Sequence, residues 1–130
     1  MTKRTAVSAA SVVEDMGPFS QAVRMGDLLF ISGQVSWDES GNVVYPGDPE
    51  GQARQAFANM EALLESAGGS MDDVAALTVF VSDIAYASVV SKVRREVFSP
   101  PYPAASSVAV AALVLDELLV EIEAIAVLGD

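Results

Sequence analysis

Cysteine and histidine are both absent from the 130 residues of this chain. Without cysteine there is no disulfide, no thiolate nucleophile and no cysteine-type zinc site. Without histidine there is no imidazole base, no Ser-His-Asp triad and no imidazole metal ligand. Proton chemistry is left to carboxylates, hydroxyls, lysine, backbone groups or water, and no metal or cofactor is expected. Positive charge is scarce too: 7 Lys and Arg stand against 18 Asp and Glu, a formal charge of −11. Phosphate backbones and anionic lipid surfaces are bound by clustered Lys and Arg. Neither nucleic acid nor a membrane is therefore an expected partner. Long apolar runs are also missing. The longest strictly apolar stretch, Val108 to Leu115, falls well short of the ~20 residues that span a bilayer. The start, Thr2-Lys3-Arg4 followed by Ala6 to Val13, resembles a signal peptide only faintly. Ser8 and Ser11 interrupt its apolar part and Glu14-Asp15 ends it, so a cytoplasmic location is the expectation. No glycine-rich phosphate loop of either common pattern is present.

What is present suits one domain over residues 1–130, with 52% hydrophobic residues to fill a core. Residues Ala22 to Ser36 predict two short strands, with Gly26-Asp27 as a hairpin turn between them. Gly41-Asn42 marks another turn, and Val43-Val44-Tyr45 predicts a further short strand. The first helix is the clearest element. Asp48 is placed to cap it and Pro49 suits its first position, where a missing N–H leaves nothing unpaired. Ala53, Ala56, Phe57, Met60, Leu63, Leu64 and Ala67 recur at the helical period, and Gly68-Gly69 ends the run. Val74 to Val81 predicts a buried strand, and Ser82-Asp83 caps a second helix with Tyr86, Val90, Val93 and Val97 along one side. The prolines of Ser99 to Pro103 stop it. Ala104 to Val114 and Leu119 to Leu128 predict two final strands around a turn at Asp116-Glu117.

This order predicts an α+β two-layer sandwich, with both helices on one face of a single sheet. Val108 to Val114 and Leu119 to Val127 are apolar on both faces apart from Glu121 and Glu123. Two helices cover only one sheet face, so the other is expected to meet a second copy of the chain.

Glu121 and Glu123 are the sharpest chemical feature. Residues two apart in a strand share a face, so both carboxylates project from one side of an apolar strand. Burial and a neighbouring carboxylate each favour the neutral form. One of the pair is then a candidate general acid or a holder of water. The alternative is an ordinary ion pair, with Arg54 of the first helix as a candidate partner. Gly33 permits close approach at a strand end, and Ser32 and Gln34 beside it offer hydrogen bonds. Trp37 is expected partly buried near a loop. Asp72-Asp73 reads as a solvated loop rather than a calcium site.

Several segments, each weak alone, together resemble the Rid superfamily, also called YjgF or the endoribonuclease L-PSP family. They are Gly17-Pro18-Phe19-Ser20-Gln21-Ala22-Val23, Phe30-Ile31-Ser32-Gly33-Gln34, Gln52 to Met60, Thr78 to Asp83, Tyr102-Pro103-Ala104 and Val120 to Ala126. They occur in family order across nearly the whole chain. The resemblance implies a chorismate-mutase-like fold and a homotrimer. In that assembly the sheets line a central barrel and small-molecule clefts lie between subunits. It also implies cofactor-free hydrolysis of reactive enamines and imines, although other members bind metabolites or cleave RNA.

The same resemblance locates departures. The Arg that clamps the substrate carboxylate in archetypal deaminases corresponds to Ala105, and a methyl group cannot replace a bidentate guanidinium. A cleft Tyr corresponds to Phe19, a frequent Cys to Ser107, and an Asn on the second helix to Ser91. The cleft Glu is retained as Glu121, and Ser32 and Gly33 keep the family segment. Arg95, four residues after Ser91 and so on the same helix face, is a candidate replacement cation. The expectation is a cleft that hydrolyses an enamine or imine other than a small imino acid. The alternatives are a non-catalytic metabolite-binding trimer and, last, a ribonuclease.

Overall fold

The computed structural model describes residues 3–129. In chain order the elements are β1 (Thr5–Val7), β2 (Ala22–Met25), β3 (Leu28–Gln34), α1 (Pro49–Ser66), β4 (Val74–Val81), α2 (Ala87–Val97), β5 (Ala104–Ala109) and β6 (Val120–Val127). The strands form one six-stranded sheet in the order β1-β2-β3-β6-β4-β5. Only the β4–β5 pair is parallel, as the α2 crossover between them requires. The architecture is α+β: a mixed sheet with two helices.

The β2–β3 hairpin turns at Gly26-Asp27, with Met25 opposite Leu28 and Gly26 at φ +61°. At the head of α1 the Asp48 carboxylate accepts the Gly51 N–H at 3.0 Å, with Pro49 in the first turn. The apolar stripe of α1 is buried as its spacing predicts. Phe57, Met60, Leu63 and Leu64 sit in the main core with Leu29, Val79, Ile122 and Ala126 of the sheet. Phe57 also meets Phe98 edge to face, with ring centroids 5.7 Å apart. Gly68 at φ +84° ends the helix, and the Gly69 N–H is donated back to the Leu64 carbonyl at 2.8 Å.

Two buried amides tie α1 to irregular segments. Gln52 donates to the carbonyls of Glu117 and Tyr45 at 2.9 and 3.2 Å and accepts the Leu119 N–H at 2.8 Å. Asn59 donates to the carbonyls of Val35 and Trp37, each at 3.2 Å. Buried polar groups need such partners. Here they fix the entry to β6 and the chain just after β3.

Some expectations are corrected. β1 lies in the stretch read as faintly signal-like, where Thr5 and Val7 pair with Arg24 and Ala22; Thr2 lies outside the described residues. Val43-Val44-Tyr45 makes only a single bridge, Trp37 to Val43, because Tyr45 adopts φ +58° and breaks extended geometry. The strand predicted over Ala104 to Val114 stops at Ala109. Its partner β4 ends at Val81, which sits opposite Ala109 and accepts one last bond from the Val110 N–H. Helix α2 begins at Ala87 rather than directly after Asp83. Asp83 caps a 3-10 turn at Ile84–Tyr86, where it accepts the Ala85 N–H at 2.9 Å.

Burial alternates along β6. Val120, Ile122, Ala124 and Ala126 are buried toward the helices, whereas Glu123, Ile125 and Val127 are exposed and Glu121 is half-buried. Leu28 and Phe30 of β3 are likewise exposed. Among the described residues the far sheet face is thus uncovered and largely apolar. No helix there is long and apolar enough to cross a membrane.

Candidate functional site

The site begins with an irregularity in β3. Ile31 pairs with Ala124 of β6, but the next partners are Gln34 and Ile122. Three steps on β3 are matched by two on β6, a bulge at Ser32-Gly33. Bulges redirect side chains and are frequent beside active sites. Here the bulge carries the Gly33 backbone against the Glu121 side chain. A Cβ built on Gly33 would lie 2.6 Å from the Glu121 carboxyl carbon and 2.8 Å from its Cγ. A side chain at position 33 would displace the carboxylate from where it now lies.

Around Glu121 lies an open hollow of about 490 Å³. One wall is Met16 and Phe19 from the loop before β2, and a second is Val35 and Trp37 from the segment held by Asn59. Val114 and Leu115 close a third side, and Ser32, Gly33, Glu121 and Glu123 form the floor. The Ser32 hydroxyl donates to the Ser20 carbonyl at 2.6 Å, and the Ser32 N–H to the Gln21 carbonyl at 2.9 Å. The Ser32 proton is therefore spent on anchoring the Phe19 loop, and its oxygen remains as an acceptor. Gln21 and Gln34 brace the same loop from below, with Gln34 donating to Gln21 at 2.9 Å and Gln21 to the Val13 carbonyl at 2.8 Å.

Burial raises the Glu121 carboxyl above its ordinary value of 4.5, and the nearby Glu123 charge raises it further. No ion pair among the described residues involves either carboxylate. Arg54, the partner considered from the sequence, is engaged elsewhere, with Glu50 at 3.1 Å and Glu96 at 2.6 Å. Lys92 also pairs with Glu50, at 2.9 Å. Arg24 donates to the Gly26 carbonyl and Arg94 to Ser91. Neither Lys nor Arg lines the hollow. Among the described residues no group of three or more carboxylates is placed to hold a metal ion.

Within one chain the structure brings together Phe19, Ser32, Gly33 and Glu121. It does not bring Ser91, Ala105 or Ser107 to them. Ala105 and Ser107 stand opposite Leu77 and Val79 of β4, whose side chains are buried on the helix side. Glu121 stands opposite Phe80 and projects from the other side. Cross-strand partners share a face, so these groups occupy opposite faces of one sheet. Ser91 and Arg95 line a separate hollow on α2, with Ser88, Lys92 and Glu96.

A family model described as Endoribonuclease L-PSP matches residues 9–128. This chain belongs to that family, the Rid superfamily. The Rid chain is similar to a 2-iminobutanoate/2-iminopropanoate deaminase of Dermatophagoides farinae, at 34% identity over 98% of this chain and 99% of the relative. It is similar to a RutC family protein of Pyrococcus horikoshii, at 40% identity over 85% of this chain and 87% of the relative. Its fold superposes on a Rid family protein of Yersinia pestis with TM-score 0.90 and 33% identity, covering 97% of this chain and 100% of the other.

Trp37 is more deeply placed in this Rid protein than its sequence position suggested. It is 6% exposed, and its indole N–H has no partner among the described residues. The sequence reading did not find the bracing roles of Gln21, Gln52 and Asn59. A polar residue within an apolar helical stripe, as Gln52 and Asn59 are, was the available signal.

Proposed function

We propose that this Rid protein hydrolyses an enamine- or imine-type metabolite, other than a small imino acid, in a cleft shared between copies of the chain. One observation carries the reading: a half-buried carboxylate with no cation beside it, set by a glycine bulge into a hollow of about 490 Å³. Glu121 holds the attacking water. In its neutral form, which burial favours, it also supplies a proton to the departing nitrogen. Phe19 forms the apolar wall and the Ser32 oxygen accepts from the ligand. Water adds to the carbon, the carbon–nitrogen bond breaks, and ammonia leaves. No cofactor is needed for this step.

The assembled unit is proposed to be a homotrimer, with the ligand at the subunit interface. The uncovered face presents Leu28, Phe30, Ile125 and Val127, between 38% and 48% exposed, and such patches mark association surfaces. Ala105 and Ser107 of one copy reach the Glu121 hollow only from a second copy, given their opposite placement. With Ala105 in the clamp position, carboxylate-bearing imines are poor substrates.

The decisive experiment is ammonia release from imines generated in situ, comparing the native protein with Glu121→Gln. Loss of most turnover in the variant is expected. Unchanged turnover of a true substrate removes Glu121 from the reaction. The second reading is a metabolite-binding trimer without turnover, favoured by the missing hydroxyl at Phe19 and the spent proton of Ser32. A ligand bound in the hollow and recovered unaltered selects it. RNA cleavage comes third because of the −11 charge. RNA binding that weakens steeply with salt would restore it.

A further inference from the structure

We propose that the ligand of the Glu121 hollow is a cation, the protonated imine of an apolar amine that carries no carboxylate. The inference rests on the hydrolase reading above and adds the chemical class of substrate. Both ionisable groups on the floor, Glu121 and Glu123, are acidic, and neither has an ion-pair partner among the described residues. Arg54 and Lys92 are held by Glu50 and Glu96 on the helix side of the sheet. A ligand carboxylate would enter this floor against the charge of Glu123, whereas a protonated imine meets an opposite one and a neutral Glu121 repels neither.

The walls agree. Phe19, 48% exposed, offers a free aromatic ring, and Met16, Val114 and Leu115 add apolar surface. Aromatic rings attract cations, and apolar walls receive the body of an amine rather than a second polar end. Trp37, more than nine-tenths buried, adds a second aromatic residue to the same lining.

The chemistry balances without an oxidant. The oxygen of water bonds to the imine carbon, the carbon–nitrogen bond breaks, and the protonated imine plus water becomes a carbonyl compound plus ammonium. A two-electron oxidation of an apolar primary amine, or an elimination that releases the enamine tautomer, yields such a substrate.

Calorimetric titration of the purified oligomer with probes of one shape tests the assignment: benzylammonium, benzyl alcohol and benzoate. Benzylammonium is expected to bind at least about tenfold more tightly than benzoate. Glu123→Gln should weaken benzylammonium severalfold and leave benzyl alcohol unchanged. Benzoate binding as tightly as benzylammonium, no binding of any probe, or an unaltered benzylammonium affinity in Glu123→Gln would overturn the proposal. Ammonia release separates it from the broader reading. Turnover confined to carboxylate-bearing imines sinks the cation assignment and leaves the hydrolase standing. Tight benzylammonium binding without turnover of its imine leaves the ligand class standing and sinks the hydrolase.

Discussion

Replacing Gly33 with alanine places a methyl group where the Glu121 side chain now lies. The built Cβ falls 2.6 Å from the carboxyl carbon and 2.8 Å from Cγ. Ordinary carbon contacts are about 3.5–4.0 Å, so the carboxylate must retreat by about 1 Å. Gly33 is not among the positive-φ glycines. Alanine therefore meets no backbone penalty there, and the whole effect is steric. A displacement of about 1 Å at a reacting group costs about a hundredfold in rate, or about 2.7 kcal/mol of transition-state stabilisation. Overpacking adds about 1–3 kcal/mol of destabilisation. The assay is a double-mutant cycle read by urea denaturation, with Gly33→Ala measured alone and in a Glu121→Ala background. Glu121→Ala removes both crowded carbons, so Gly33→Ala should then cost little. An equal penalty in both backgrounds would refute the claim that Gly33 exists to seat Glu121. Turnover by Gly33→Ala within twofold of the native rate would refute its link to chemistry.

Other consequences are open to measurement. The folded state holds the Glu121 proton more tightly than an unfolded chain whose carboxyl titrates near 4.5. That stabilising contribution is complete in acid and is lost as pH rises through the raised value. Glu121→Gln should therefore be more stable than the native protein at neutral pH, with the advantage vanishing below pH 4.5 in denaturation curves. Asp48→Ala removes the acceptor of the Gly51 N–H and should cost about 1 kcal/mol in the same assay. Ile125→Asp puts a charge on the uncovered face, 41% exposed in the single chain, and should shift light-scattering mass toward the monomer. Retention of the native mass would exclude that face from the interface.

Much of the fold was legible because its signals are local. The α1 stripe, its Asp48 cap and the Gly26-Asp27 turn follow from spacing and residue type, and the alternation along β6 put both glutamates on one face. What escaped depends on neighbours distant in sequence. β1 is three residues long and takes its place only by pairing with β2. β5 ends where β4 runs out, which no property of Ala109 or Val110 announces. Arg54 finds Glu96 on the other helix, so its availability to Glu121 had no local signature. The candidate site divided the same way. Phe19, Ser32, Gly33 and Glu121 converge because β3 and β6 are adjacent. Ala105 and Ser107 fall on the other face because they register with Leu77 and Val79 of β4 while Glu121 registers with Phe80, and Ser91 lies on α2.

Strand β5 lies at the margin of the sheet, bonded to a neighbour on one side only, and each of its residues is exposed. A newly made chain therefore carries a flank that any passing extended segment can adopt. Its composition is the safeguard: apart from Val108, its residues are alanine and serine, small and weakly adhesive, and alanine is depleted in strands. The same blandness that leaves this ribbon poor in chemistry makes it a poor seed for aggregation while the chain is still alone.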